Sequence, residues 1–272
     1  MSKLPDLTIY VAVRDGQEYI ELFLKSLAEY GASQRYHITM SILVGDAPNN
    51  ILQICRKLSP NLPFDCRVRS LDDLSIVAQS EIRALIDTND GFFNEGIWDW
   101  LVKENLERST YYAGVHVDVA FHKSGLWDEL LTNVITARAD VAGIFSPGEL
   151  LNFQGINFLT PPRLVPILSL CHRKRANALG VKWGRPCATI SRRDRLILDN
   201  GTLALESLMS KQAATKKAIF LPLTMDYLEN FIEHFGFLWT LRASSAIHDL
   251  DGVRSRERVR DALNTFVGKK DF

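Results

Sequence analysis

A carboxylate and an imidazole lie two residues apart just beyond an apolar run, in a position where they could hold a cation. The run Tyr111–Val115 leads into His116, and Asp118 follows. Hard oxygen ligands suit Mg²⁺ or Mn²⁺, and such a cation could bridge two phosphates and neutralise charge on a departing diphosphate. An isolated His-x-Asp is more often a turn or a helix cap, so the spacing alone leaves both interpretations open.

Arginines and tryptophans offer further binding chemistry. Arg254 has two more arginines close behind it, and guanidinium groups match the geometry of phosphate oxygens. Such a run is more often the solvated face of a helix. Trp98, Trp100 and Trp127 could stack on a sugar ring or a nucleobase, although core packing is the more common role for such residues.

The elements that must position these residues begin with two strand-helix units. The first unit is the apolar run Leu7–Val13 followed by helical spacing over Glu18–Tyr30. The second is the apolar run Ile38–Val44 followed by helical spacing over Ile51–Leu58. Repeated strand-helix units predict a parallel sheet with helices on its faces, and ligands of such sheets collect beyond the carboxyl ends of the strands. Asp15, Asp46 and Asp118 all follow strand runs, so we expect them at that edge.

The remaining segments are less regular. A third short strand is predicted within Arg67–Val77 and another strand over Cys187–Ser191, and the proline-containing stretch Phe145–Arg163 is predicted to be a loop. Helical spacing is found in several further runs: Asn94–Asn105, Gly125–Leu131, Val134–Ala137, Leu164–Leu179, the start of Arg193–Leu198, Asp226–Phe235 and Ser255–Phe266. No repeat or long linker divides the chain, which favours a single domain.

Composition excludes several classes of protein. Of 272 residues, 46% are hydrophobic and 24% charged, which is typical of a globular chain. The 32 basic and 32 acidic side chains leave no excess of positive charge, so we expect no nucleic-acid partner. No signal peptide or membrane-spanning run is present, and we expect a cytoplasmic protein for which peripheral contact with a membrane stays open.

Several short motifs follow one another in order along the chain. They are IYVAVRDGQEYIELFLKSL, ILVGDAPNN, Asn94-Glu95-Gly96, YYAGVHVDVAF and the strand that begins at Cys187. This order resembles family 2 glycosyltransferases of the GT-A fold. In that family the corresponding segments are the first strand and helix, the strand with a base-binding aspartate, an Asn-x-Gly, the metal strand with Asp-x-Asp, and a strand on the acceptor side.

The resemblance implies a fold and a set of ligands. The fold is a Rossmann-like α/β domain of GT-A type over residues 1–272, with a mostly parallel central sheet and helices on both faces. Residues of about 1–120 would bind the nucleotide-sugar and about 121–272 the acceptor. The implied donor is a UDP, GDP or dTDP sugar with Mn²⁺ or Mg²⁺, and the acceptor is a carbohydrate or a lipid-linked hydroxyl.

The resemblance also implies roles for individual residues. The cation would be held by Asp118, His116 and His248, and the catalytic base would be Asp226, with Glu229 one turn later as the substitute. We expect donor contacts from the following residues: Val13, Asp15, Asp46, Asn94, Gly96, His116 and Arg254. An aspartate at the start of a helix also favours the helix dipole, so Asp226 could instead be a simple cap.

Two departures from the family pattern affect this interpretation. His116 replaces the first aspartate of Asp-x-Asp, which removes one negative charge near the cation. The usual Glu-Asp pair is reduced to Asp226 with Glu229 one turn later.

The predicted function is an enzyme that transfers a sugar from a nucleotide-diphosphate donor to an acceptor hydroxyl in surface polysaccharide or lipopolysaccharide synthesis. We expect the transfer to invert the configuration at the anomeric carbon. A catalytically silent nucleotide-sugar-binding scaffold is the alternative from another class. A sugar nucleotidyltransferase is disfavoured, because VAVRDGQEYI lacks the glycine-rich basic loop of those enzymes.

Overall fold

A computed structural model of the chain provides the positions of most residues. The structure describes residues 6–14, 16–45, 49–88, 93–104, 109–153, 156–160, 162–183, 189–191, 196–198, 201–210, 215–235 and 257–264. Among the helices in these ranges, none is both long enough and apolar enough to cross a bilayer.

Thirteen strands in these ranges form three sheets. In chain order they are β1 (Leu7–Val13), β2 (Ile38–Val44), β3 (Asp65–Ser70), β4 (Tyr111–Val115), β5 (Val119–Phe121), β6 (Val141–Ser146), β7 (Glu149–Phe153), β8 (Ile156–Thr160), β9 (Arg163–His172), β10 (Thr189–Ser191), β11 (Leu196–Leu198), β12 (Phe220–Leu223) and β13 (Ile232–His234). The main sheet has the order β12-β6-β9-β4-β1-β2-β3, the second has the order β10-β11-β8-β7, and β13 pairs with β5.

Nine α-helices in the same ranges connect or cover the strands. They are α1 (Gln17–Tyr30), α2 (Asn49–Leu58), α3 (Ile76–Thr88), α4 (Phe93–Glu104), α5 (Leu126–Thr136), α6 (Arg173–Leu179), α7 (Thr202–Met209), α8 (Met225–Glu229) and α9 (257–264). Short 3₁₀ turns at Ser59–Asn61 and Leu71–Asp73 flank β3.

The main sheet is mostly parallel. Strands β1, β2, β3 and β4 run parallel to one another, and β6 runs parallel to β12, while β9 is antiparallel to both β4 and β6. Side chains of β1 alternate between two cores: Ile9 and Val11 belong to the cluster that includes residues of α1 and α2, and Tyr10 and Ala12 to the one with α4. Helices therefore cover both faces, which confirms the predicted α/β class.

Strand β9 corrects the predicted helix over Leu164–Leu179. The structure has a long strand that ends at His172 and only then a helix, α6. A central strand is buried on both faces and carries a continuous apolar run, which periodicity alone does not separate from a buried helix. The register of β9 against β6 shifts between Gly143 and Ile144, a bulge that accommodates Pro166, which has no N–H to donate.

Three further predictions are wrong. The predicted loop Phe145–Arg163 contains the hairpin of β7 and β8, and the predicted helix start at Arg193–Leu198 contains strand β11. The predicted helix Asp226–Phe235 is only the short α8 followed by strand β13. These elements are three to five residues long, too short for either periodicity to show, and their conformation depends on pairing with distant segments.

Asp128, at the start of α5, holds the turn that precedes β2. Its carboxylate accepts hydrogen bonds from the Ser33 hydroxyl and from the backbone N–H groups of Gln34 (3.0 Å) and Arg35 (3.3 Å). Burial alone would raise the pKa of Asp128, but these hydrogen bonds outweigh it and hold the pKa below its ordinary value.

We expect Asp128→Asn to lower the free energy of unfolding by about 1–3 kcal/mol at pH 7, since charge-assisted hydrogen bonds are lost. A depressed pKa in the folded state stabilises the fold above the unfolded pKa, which is about 3.9. The difference between the two proteins should therefore disappear as the pH falls through the folded pKa. Urea unfolding at a series of pH values measures it, and equal stability at pH 7 would contradict the assignment.

Candidate functional site

Parallel strands bring their carboxyl ends to one edge of the main sheet. Strands β1, β2 and β4 lie side by side there, and the N–H of Gly45 after β2 donates to the carbonyl of Val13 in β1 (2.7 Å). His116 follows β4 directly at this edge. Because ligands of α/β sheets gather beyond these ends, this edge is the candidate site.

Three side chains meet beyond the end of β4. Asp118 is only 6% exposed, and its Oδ1 lies 3.8 Å from Nδ1 of His116. Its other oxygen, Oδ2, lies 3.4 Å from Nε2 of His234. Oδ1 is buried and has no hydrogen-bond partner among the described residues. We call His116, Asp118 and His234 the Asp118 cluster.

Backbone hydrogen bonds hold the Asp118 cluster in place. The N–H of His116 donates to the carbonyl of Ile167 at the bulge of β9 (3.0 Å), and the N–H of Phe235 donates to the carbonyl of Asp118 (2.8 Å). Strand β13 pairs with β5 so that His234 lies opposite Val119. The antiparallel pair β5-β13 therefore carries His234 to Asp118 from a distant part of the chain.

The charge on Asp118 is favoured by its neighbours. Burial raises its pKa, but the hydrogen bond from His234 and the proximity of His116 and His234 lower it more, so the pKa lies below its ordinary value. Asp118 is consequently ionised at neutral pH. A buried carboxylate with one unsatisfied oxygen is able to accept a hydrogen bond from a ligand or to bind a cation.

The indole of Trp98 lies against His116, whereas the other two tryptophans of interest lie within the cores. Trp98 of α4 is fully buried, and its ring centroid lies 5.4 Å from that of His116. Trp100 and Trp127 are buried in the two cores on opposite faces of the sheet. All three tryptophans are therefore packed inside the protein, which is the more common of the two roles considered for them in the sequence.

The predicted bases, Asp226 and Glu229, lie on α8, which follows β12. Both side chains are exposed. Thr224 caps this helix by accepting a hydrogen bond from the N–H of Tyr227 (3.1 Å), so Asp226 is not the capping residue. The carbonyl of Glu229 lies 3.1 Å from Nε2 of His122, just after β5. Strand β12 ends at the same edge as β4, with β6 and β9 between them in the sheet.

Only some of the other predicted residues lie in the part of the chain that the structure describes. Val13 is buried at the end of β1, and Gly96 is buried inside α4. The side chain of Asn94 lies outside the described part of the chain, and four whole residues do so as well: Asp15, Asp46, His248 and Arg254. Their roles stay predictions.

His234 is the member of the Asp118 cluster that the sequence analysis missed. It falls inside the segment predicted as an amphipathic helix, two residues before Gly236. A short strand ending in histidine just before a glycine was the available signal. This pattern indicates a site residue only when the pairing of β13 with β5 is known.

The protein groups alone do not form a complete metal centre in the described ranges. There, no set of three or more His, Cys, Asp or Glu side chains is arranged so that it could hold one metal ion. The Asp118 cluster brings one carboxylate and two imidazoles together, but the contacts of Asp118 are those of hydrogen bonds and ion pairs.

Comparison with known proteins gives only distant likenesses. No protein-family model matches the chain, and no curated protein sequence matches it. Among solved structures, TarS 1-349 of S. aureus in complex with UDP-GlcNAc has 12% identity and a TM-score of 0.43, over 72% of this chain and 56% of that one.

Two other similar structures are of proteins described as a xylosyltransferase and a glycosyltransferase. Mouse xyloside xylosyltransferase 1 in its apo form has 9% identity and a TM-score of 0.45, over 80% of this chain and 84% of that one. The glycosyltransferase GlyE of Streptococcus pneumoniae TIGR4 has 12% identity and a TM-score of 0.45, over 98% and 64%. The chain thus spans less than two thirds of GlyE and of TarS 1-349 in its UDP-GlcNAc complex. Likeness at this level carries no argument about activity.

Proposed function

We propose that the chain is a glycosyltransferase that moves a sugar from a nucleotide-diphosphate donor to an acceptor hydroxyl. The observation that carries the proposal is the Asp118 cluster beyond the carboxyl end of a central parallel strand. A buried, ionised carboxylate at that edge is chemically suited to a cation-bound diphosphate. The ordered motifs that resemble GT-A enzymes support the same assignment.

Mn²⁺ or Mg²⁺ is part of the proposal. The unsatisfied buried Oδ1 of Asp118 fits a divalent cation, and His116 with His248 would be the further protein ligands. Since too few described groups converge to hold a metal without help, donor phosphate oxygens would complete its coordination. When bound, the cation would neutralise the negative charge that develops on the departing diphosphate.

The remaining roles belong to residues of the chain itself. Asp226, or Glu229 in its place, would take the proton of the acceptor hydroxyl while the diphosphate leaves from the opposite face, with inversion at the anomeric carbon. The nucleotide would lie along the ends of β1 and β2 near Val13, Asp15 and Asp46. Asn94, Gly96 and Arg254 are the further proposed donor contacts, with the arginine on phosphate.

The biological setting follows the expectation from the sequence. We propose a carbohydrate or lipid-linked acceptor, which residues of about 121–272 would bind. The transfer would take place in the cytoplasm and would belong to surface polysaccharide or lipopolysaccharide synthesis. Acceptor contacts depend on the irregular second half of the chain, so the family resemblance names a class of acceptor and no individual compound.

Calorimetric titration tests donor binding directly. UDP, GDP and dTDP are each titrated into the protein with Mn²⁺ and with EDTA, and Mn²⁺ is titrated without nucleotide. We expect one nucleotide to bind only when Mn²⁺ is present, and Mn²⁺ alone to bind weakly because the diphosphate supplies part of its coordination. Failure of all three nucleotides to show metal-dependent binding would refute the proposal.

A further inference from the structure

Gly114 and Trp98 fit against each other where α4 covers β4. A Cβ atom at residue 114 would overlap the six-membered ring of the Trp98 indole, so only glycine leaves room for it. Trp183 meets the same indole edge-on, with ring centroids 6.3 Å apart. The backbone N–H of Trp183 donates to both carboxylate oxygens of Asp99 (3.0 and 2.9 Å), which holds the main chain of Trp183 against α4. The indole of Trp98 is therefore confined to one position.

The confined indole lies against the imidazole of His116. Their ring centroids are 5.4 Å apart and their planes are tilted by 49°. Histidine rings have a broad second torsion angle, so the backbone hydrogen bond from His116 to Ile167 does not by itself orient the ring. The packed indole restricts the ring, whose Nδ1 lies 3.8 Å from Oδ1 of Asp118.

We propose that Trp98 is a positioning residue that, seated on Gly114, holds the imidazole of His116 towards Asp118. The consequence for donor binding rests on the proposed function, whereas the orientation of His116 can be measured without any ligand. A side chain that is ordered before a ligand arrives loses less conformational freedom when the ligand binds. Loss of the indole should therefore weaken donor binding more than it slows the transfer from bound donor.

Three variants and one matched control test the proposal. Trp98→Leu removes the aromatic face, Trp98→Phe keeps one, and Gly114→Ala displaces the indole without removing it. Trp100→Leu is the control, because Trp100 is a buried tryptophan of the same helix whose indole N–H donates to Glu81 instead (2.9 Å). If Trp98→Leu does not fold, the Phe and Gly114 variants carry the test.

The first readout is the pattern of NMR nuclear Overhauser effects between the His116 ring protons and the backbone protons around Asp118, which reports the orientation of the ring. Chemical shifts are not used, because loss of the indole ring current moves them whether or not the imidazole turns. We expect a changed pattern in Trp98→Leu and Gly114→Ala, partial restoration in Trp98→Phe, and no change in Trp100→Leu. An unchanged pattern in Trp98→Leu, or equal changes in the control, would overturn the proposal whatever the protein binds.

The second readout is the affinity for UDP, GDP or dTDP with Mn²⁺, whichever binds to the unaltered protein. We expect Trp98→Leu to raise the Kd and the KM about tenfold with little change in kcat, and Trp98→Phe to recover most of the affinity. A fall in kcat alone would contradict a positioning role in binding. If the unaltered protein binds none of the nucleotides, the proposed function fails, and the NMR comparison still decides whether Trp98 orients His116.

Discussion

Replacing Asp118 by asparagine is expected to lower kcat/KM for sugar transfer by about a hundredfold or more, because removal of one preorganised electrostatic contact typically costs about 3 kcal/mol in the transition state. Asparagine keeps the shape of the side chain and one acceptor oxygen for His234, but not the negative charge. Metal-dependent nucleotide binding should be lost together with activity. Initial rates over a range of donor concentrations and calorimetry with Mn²⁺ measure the two effects.

The stability of the variant provides the control for Asp118→Asn. The pKa of Asp118 is depressed in the folded protein, so its charge stabilises the fold at neutral pH and asparagine should lower the melting temperature modestly. Assays well below that temperature separate folding from function. Asp128→Asn also removes a hydrogen-bonded carboxylate, but one that holds the turn before β2, at the opposite end of that strand from the candidate site, so this variant should retain activity when folded. Full metal-dependent binding by Asp118→Asn would remove Asp118 from the proposed site.

Replacing Asp226 by asparagine should lower kcat by about 10²–10⁴-fold, the usual contribution of a general base. Donor affinity should stay unchanged, because the proposed partner of Asp226 is the acceptor hydroxyl. The melting temperature should also stay unchanged, since the side chain is exposed and Thr224 caps the helix. Single-turnover rates with saturating donor, together with nucleotide titrations, distinguish these expectations.

Glu229→Gln is the matched comparison for Asp226→Asn, because both are exposed acids of the same short helix. If Asp226 is the base, the Glu229 variant keeps a kcat close to that of the unaltered protein. The reverse result would assign the base to Glu229. Unchanged product formation in both variants and in Asp118→Asn would favour the catalytically silent scaffold over the enzyme.

The first half of the fold could be predicted because its elements are long and follow a simple rule. Strands β1 and β2 are continuous apolar runs, and α1 and α2 each have one apolar face, so the two periodicities are distinct. Strand β4 was recognised for the same reason, and with it the position of His116 at the sheet edge. Their patterns are long enough to identify each element locally, although β4 pairs in the sheet with the distant strands β1 and β9.

The second half could not be predicted because its short elements depend on distant partners. Strand β13 is three residues long and acquires its conformation from β5, more than a hundred residues earlier. No local pattern specifies such a pairing, which is why His234 was overlooked while Asp118 was found. Strand β9 was predicted as a helix for another reason, because burial on both faces removes the alternation that identifies a half-exposed strand.

The pairing of β5 with β13 also orders events during synthesis on the ribosome. Asp118 emerges well before His234, and at about 5–20 residues per second the interval between them is roughly 6 to 23 s. During that time β5 has no antiparallel neighbour, and an unpaired strand is open to association with other chains. Helix α9 arrives later still and joins α1 through the bond from Arg260 to Glu18 (2.8 Å). A nascent chain therefore completes the Asp118 cluster only after β13 has emerged, and fragments that stop before residue 232 cannot assemble it.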